Sequence, residues 1–219
     1  MCRVYTEYMN KSLIASVVGV LVLLVGVWCW SVRDNSANQV TSEQSLATNV
    51  YRDTALGFSV TLPTALSSTT NETLFAVDTS YSYEAMGPGK PIEGVRFTIP
   101  SGVATGTNLS SDSYLSIEHL GSGVACNATA FLGLPTAQSV TIKSGTLSYS
   151  FASTTGAAAG NRYEEYVYAL SNTNPCVAVR YFIHSGAFQN YPEGAVKEFD
   201  KSALIAEFDA IRQSLVLSK

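Results

Sequence analysis

His184-Ser185-Gly186 and the adjacent pair Glu164-Glu165 are the residues of this chain whose types best suit catalysis. A histidine beside a serine suggests acyl transfer, with the imidazole taking the hydroxyl proton. Spacing argues against it. Consecutive strand residues point to opposite faces, and a serine nucleophile sits on a strand–helix elbow of the form Gly-x-Ser-x-Gly, which this chain lacks. A strand-end histidine bonded to backbone is the expectation. The same alternation parts Glu164 from Glu165, so they cannot flank one glycosidic bond. Solvated glutamates, or glutamates paired with Arg162 and Arg180, are expected instead. His119 and His184 show no metal-ligand spacing, and no metal site is expected. Gly121-Ser122-Gly123 and the stretch 156–160 lack the lysine or helix start that a phosphate cradle needs, and both read as loops. No catalytic residue and no cofactor is assigned, and the chain is read as a non-enzyme.

Two other residue types matter. Cys126 and Cys176 are the cysteines that follow residue 32, a matched pair for a disulfide in an oxidising compartment, with two buried free thiols as the alternative. A bridge would close a loop of about 50 residues, worth about 4 kcal/mol on the chain-entropy argument. Tyrosine is abundant, 12 residues in all. Tyr81, Tyr83, Tyr114, Tyr163, Tyr166, Tyr168, Tyr181 and Tyr191 would form a recognition surface for sugars or proteins, or else ordinary strand composition. Asn71, Asn108 and Asn127 fit the glycosylation sequon, a match that chance explains in a chain so rich in Asn, Ser and Thr.

The elements that position these residues read mostly as strands. Residues 57–62 alternate apolar and polar up to Pro63, and 92–99 alternate up to Pro100. A further strand is expected over 73–78, followed by Ser80-Tyr81-Ser82-Tyr83 and a breaker-rich loop over 86–91. Residues 114–120 put Leu115, Ile117 and His119 on one face and Tyr114, Ser116 and Glu118 on the other. Residues 140–142 and 146–151 read as a hairpin turning at Gly145. Residues 163–170 and 176–183 form the strongest strand pair, joined by Asn172-Thr173-Asn174-Pro175, with Val177, Val179, Tyr181 and Ile183 on one face. A helix closes the chain. Asp200 is its expected N-cap, and Leu204, Ile205, Phe208, Ile211 and Leu215 form one apolar stripe. An antiparallel sheet covered by that helix, of the α+β class, is the expected architecture.

Residues 12–32 carry no charge and as a helix would measure about 31 Å, the thickness of a bilayer core. Trp28 and Trp30 suit the interface. An uncleaved single-pass anchor is expected, because Trp28-Cys29-Trp30 fits a signal-peptidase site or a lipobox poorly, with a cleaved signal and a lipid anchor as the alternatives. Arg3 and Lys11 against Glu7 favour a cytoplasmic tail at 1–11 and an extracytoplasmic C-terminal part. Residues 33–50 are polar and aperiodic and read as a tether, with the folded domain over 51–219. Removing two of 13 basic and one of 17 acidic residues leaves this part with a net charge of −5. That balance excludes nucleic acid as a partner.

Two stretches carry a family resemblance: Tyr51-Arg52-Asp53 through Gly57-Phe58-Ser59-Val60-Thr61-Leu62-Pro63, and Arg180-Tyr181-Phe182-Ile183-His184-Ser185-Gly186 through Asn190-Tyr191-Pro192-Glu193-Gly194 to Glu198-Phe199-Asp200. The first resembles the opening strand of bacterial PsbP-like domains, and the second is similar to a group of membrane-anchored bacterial envelope proteins. The resemblance implies an antiparallel sheet between helices and a cell-envelope setting, and it carries over no catalytic residue. The chain is therefore read as an accessory module that binds an envelope protein or cell-wall glycan, with its oligomeric state open. An envelope hydrolase with a dispersed site and a minor pilin-like subunit are the alternatives.

Overall fold

The computed structural model describes residues 48–63, 75–85, 91–121, 123–134 and 138–218. The expected membrane helix at 12–32, nearly all of the tether, the start of the strand expected at 73, most of the 86–91 loop and the Asn71 sequon lie outside them. Among the described residues no helix is long and apolar enough to cross a membrane.

The described residues form ten strands. They are β1 (Thr48–Asp53), β2 (Phe58–Pro63), β3 (Ala76–Tyr83), β4 (Ile92–Thr98), β5 (Tyr114–Leu120), β6 (Val140–Ser144), β7 (Leu147–Ala158), β8 (Asn161–Leu170), β9 (Cys176–Gly186) and β10 (Val216–Leu217). Two one-turn helices, α1 (Ser101–Ala104) and α2 (Ala128–Phe131), interrupt them, and α3 (Lys201–Gln213) precedes the last strand. Seven strands form a sheet in the order β3-β4-β5-β9-β8-β7-β6, and three form a second, β1-β2-β10. Every named strand pairing is antiparallel. The domain is thus an antiparallel β structure closed by a C-terminal helix, as expected.

The larger core lies on one face of the seven-stranded sheet. Val95, Phe97, Leu115, Ile117, Val177, Val179, Tyr181 and Ile183 meet Phe58, Val60 and Leu62 of β2 there, together with Leu204, Phe208 and Ile211 of α3. Each such aliphatic or aromatic side chain contributes roughly 1.5–3 kcal/mol on burial. Asp200 caps α3 by accepting from Ala203 N at 2.9 Å, and Ser214 Oγ accepts from Thr61 N at 2.8 Å, tying the helix end to β2.

On the opposite face a smaller core holds Ile92, Leu120, Phe131, Ala152, Val167, Ala169, Cys176 and Ala178. The Cys126–Cys176 disulfide fastens the α2 segment over it. With cover on both sides, β9 is almost continuously buried and cannot show simple alternation.

Three expectations need correction. The stretch 156–160 is not a loop: residues 156–158 continue β7, and only Ala159 and Gly160 make the turn, both with positive φ (51° and 81°). Two left-handed residues match the twist of a tight hairpin, which a Gly/Ala count cannot reveal. Residues 76–78 of the strand expected over 73–78 run on with the residues after them as one strand, β3, with its register shifted between Asp78 and Tyr81. At the N-terminal end β1 starts at Thr48, so residues 48–50 of the stretch read as tether pair with β2.

Candidate functional site

Among the described residues, the second face of the large sheet is covered by α2 at one end only. At the other end four strands, within the run β3-β4-β5-β9-β8, present a row of half-buried rings: Tyr81 from β3, Tyr114 from β5, Phe182 and His184 from β9, and Tyr163 from β8. Register explains the row, because Tyr114 lies opposite Phe182 and Tyr163 opposite His184, and directly opposed side chains share a face. Tyr114 and Phe182 stack with centroids 4.9 Å apart and planes at 20°. Tyr163 and His184 stack at 4.6 Å and 23°. Tyr81 meets Tyr114 edge-on at 5.7 Å, and their hydroxyls are 2.9 Å apart. Burial, reinforced by Glu118, raises the Tyr81 pKa, and burial raises that of Tyr114, so both phenols keep their protons.

Ion pairs border the row. Arg96 donates to Asp78 at 2.8 Å, and its guanidinium lies 5.3 and 5.5 Å from the Tyr81 and Tyr114 centroids. Arg180, 3% exposed, donates Nε to Glu118 Oε1 at 2.8 Å and also binds Glu165. It further binds the Tyr83 hydroxyl, and it donates to Phe131 O at 2.7 Å, which anchors α2 to the sheet. Burial alone would lower the Arg180 pKa, but Glu118, Tyr83 and Glu165 raise it well above the ordinary value. His184 Nδ1 lies 2.8 Å from Asp112 Oδ1. Burial raises the Asp112 pKa, yet hydrogen bonds from Ser110 and His184 outweigh it and leave the pKa below the usual value.

The expected site residues are dispersed. Ser185 is buried on the face opposite to His184, so the two do not form a nucleophile–base pair. The His184 ring bonds a carboxylate rather than backbone, because Asp112 comes from the turn before β5, far away in sequence. The backbone of His184 is satisfied separately: Ser113 Oγ accepts from its N–H at 3.0 Å. Glu164 and Glu165 face opposite sides. Glu165 pairs with Arg180 as anticipated, whereas Glu164 binds Lys201 and accepts from Tyr166 at 2.6 Å. Burial pushes the Glu164 carboxyl up, but Lys201 and Tyr166 hold it below the usual carboxylate range. Tyr166, Tyr168 and Tyr181 belong to the larger core, and the Tyr181 hydroxyl donates to Asp209 at 2.8 Å. Tyr191 folds back so that its hydroxyl lies over Gly186.

Asn108 and Asn127 have structural work. Asn108 is buried, donates Nδ2–H to Gly186 O at 2.8 Å, and accepts from Phe199 N at 2.9 Å. That staple holds the return stretch from Gly186 to Phe199 against the end of β9. Asn127 caps α2 by accepting from Thr129 N at 3.0 Å.

Among the described residues no three His, Cys, Asp or Glu side chains converge as metal ligands. The arrangement offers rings, hydroxyls and fixed charges of both signs across about 20 Å, since strands are spaced roughly 4.8 Å apart. Comparison of the chain with protein-family models, with curated proteins and with solved structures gives no match.

Proposed function

We propose that this chain is a single-pass envelope protein, held by residues 12–32, whose extracytoplasmic domain is a non-enzymatic binding module of PsbP-like type. The aromatic row is its docking face and a folded protein its partner. The observation that carries this reading is the stacking of Tyr114 on Phe182 and of Tyr163 on His184. Each ring of a stacked pair has one face taken by its neighbour, which leaves less open ring face for a sugar to stack on. A sugar ring needs an open aromatic face; a flat protein surface does not. Aromatic residues with arginine at the margin are the side chains that dominate protein interfaces.

The test is site-specific photo-crosslinking in intact cells. A crosslinking amino acid at Asp112, which is 63% exposed beside the row, should join one protein reproducibly, and Arg96→Glu should abolish the product. The same group at Ser202, on the exposed side of α3, should give none. Equal products from both positions would sink the docking face, and sedimentation with purified cell wall without any protein crosslink would make the partner a glycan. Impermeant thiol labelling of single-cysteine variants at positions 5 and 218 tests the topology: only position 218 should react from outside.

One observation favours a second reading. His184 Nδ1 lies 2.8 Å from Asp112 Oδ1, the pairing by which a carboxylate orients a general-base imidazole, although Nε2 is buried and would have to be uncovered to meet a substrate. Substrate turnover in a hydrolase panel that His184→Asn removes would establish the envelope-hydrolase alternative.

A further inference from the structure

Where β8 begins and β9 ends, the chain entering α3 crosses the sheet and encloses a pocket of about 200 Å³. The crossing is fixed on both sides, since Phe199 N donates to Asn108 Oδ1 at 2.9 Å and Lys201 binds Glu164 of β8. Every lining residue is described, and so are its neighbours along the chain. Two buried polar side chains belong to the wall. Asn108 spends its amide on Gly186 O and Phe199 N. Ser185, 6% exposed, does not: among the described residues its hydroxyl has no hydrogen-bond partner, although buried hydroxyls ordinarily find one. Two charges in the wall are also unspent. Lys201 and Glu164 neutralise each other. Arg162, directly opposite Ser185 in the register, and Glu198 carry opposite charges, yet neither is ion-paired with the other or with any other described residue.

We propose that this pocket binds a small zwitterion of the free α-amino-acid class, its carboxylate on Arg162 and the Ser185 hydroxyl and its ammonium on Glu198. A guanidinium fork matches a carboxylate, and an ammonium brings three donors to a glutamate. α3 starts in the same wall at Lys201, so the positive end of its dipole favours the carboxylate. Charge decides the class. The ionised groups of the wall, Arg162 and Lys201 against Glu164 and Glu198, sum to zero. A zwitterion keeps that sum while engaging both unspent charges. A simple anion would leave Glu198 without a partner and be repelled by it, and a simple amine would meet the same fault at Arg162. At about 30 Å³ per water the pocket has the volume of about seven waters, which suits a molecule the size of alanine.

Gly186 lines the pocket, whereas Gly94 and Gly145 do not, so amide NMR of the full-length ¹⁵N-glycine-labelled protein in nanodiscs carries its own controls. L-Alanine, propionate and ethylamine are close in size and differ in charge. L-Alanine should shift the Gly186 signal saturably and leave Gly94 and Gly145 unmoved, while propionate and ethylamine should each bind at least about tenfold more weakly, equivalent to about 1.4 kcal/mol. Arg162→Gln and Glu198→Gln, both at exposed positions that folding tolerates, should each weaken L-alanine by a similar factor. Under these changes the selectivity should also invert in a defined way: Arg162→Gln should lose its preference over ethylamine, and Glu198→Gln its preference over propionate. Absence of a saturable L-alanine shift, binding of propionate or ethylamine to the wild type as tightly as L-alanine, or undiminished L-alanine binding in either variant would each overturn the assignment.

Discussion

Arg180 Nε donates to Glu118 Oε1 at 2.8 Å across the two central strands of the large sheet, and both side chains are nearly withdrawn from water. The register places them diagonally, since Ser116 is the residue opposite Arg180, and Ser116 Oγ donates to the same Oε1 at 2.6 Å. Removing one partner strands a buried charge. Glu118→Gln is expected to cost about 3–5 kcal/mol, which at roughly 2–4 °C per kcal/mol lowers the melting temperature by about 6–20 °C. Calorimetry checks the loss. Arg180→Met combined with Glu118→Leu should be less damaging than the two single changes added together, and simple additivity would show that the pair is not energetically coupled.

The disulfide closes a long loop over the smaller core, whose Cys176 is 2% exposed. Cys126→Ser with Cys176→Ala should destabilise the domain by about 4 kcal/mol, a figure that depends on the chain-entropy account. Reduction of the wild type should reproduce that loss. A midpoint of thermal unfolding that is indifferent to reductant would mean the reduced denatured state is already compact.

His119 supplies a pH signature. Burial lowers its folded pKa below the ordinary 6.5, so the unfolded chain binds this proton more readily. Stability from this group is therefore present above 6.5 and is lost as pH falls through 6.5 toward the folded value. Wild-type melting temperature should drop over that window, and His119→Gln should flatten the drop. Glu207 acts in the opposite sense: burial raises its folded pKa above 4.5, so its contribution is lost as pH rises through 4.5. Glu207→Gln should raise the melting temperature at neutral pH, and a fall there would contradict the burial argument.

Gly94 is a close-approach position. A Cβ there would lie 2.3 Å from Ile117 O of the neighbouring strand, and backbone cannot yield as a side chain can. Gly94→Ala should cost about 1–3 kcal/mol or more by forcing β4 away from β5. Gly145→Ala, whose Cβ meets nothing within 4 Å, carries only the strain of a φ of +58° and should cost less, about 1–2 kcal/mol. Urea unfolding of the two variants decides the order, and the reverse ranking would refute the clash.

Alternation alone determined much of this molecule. It located β2, β4 and β5 and assigned Leu115 and Ile117 to one face and Ser116 and Glu118 to the other; the turn residues 172–175 marked β8 and β9 as a pair, and Asp200 with an apolar stripe marked the closing helix. The two cysteines after residue 32 were likewise legible as a pair, because a count of two leaves one connectivity. What a period of two cannot state is which strand lies beside which. Only the order β3-β4-β5-β9-β8-β7-β6 brings Tyr81, Tyr114, Phe182 and Tyr163 into one row, sets Asp112 against His184, and seals Glu118 with Arg180. These contacts join residues tens of positions apart, and their energy exists only once long-range pairing has closed the intervening loops.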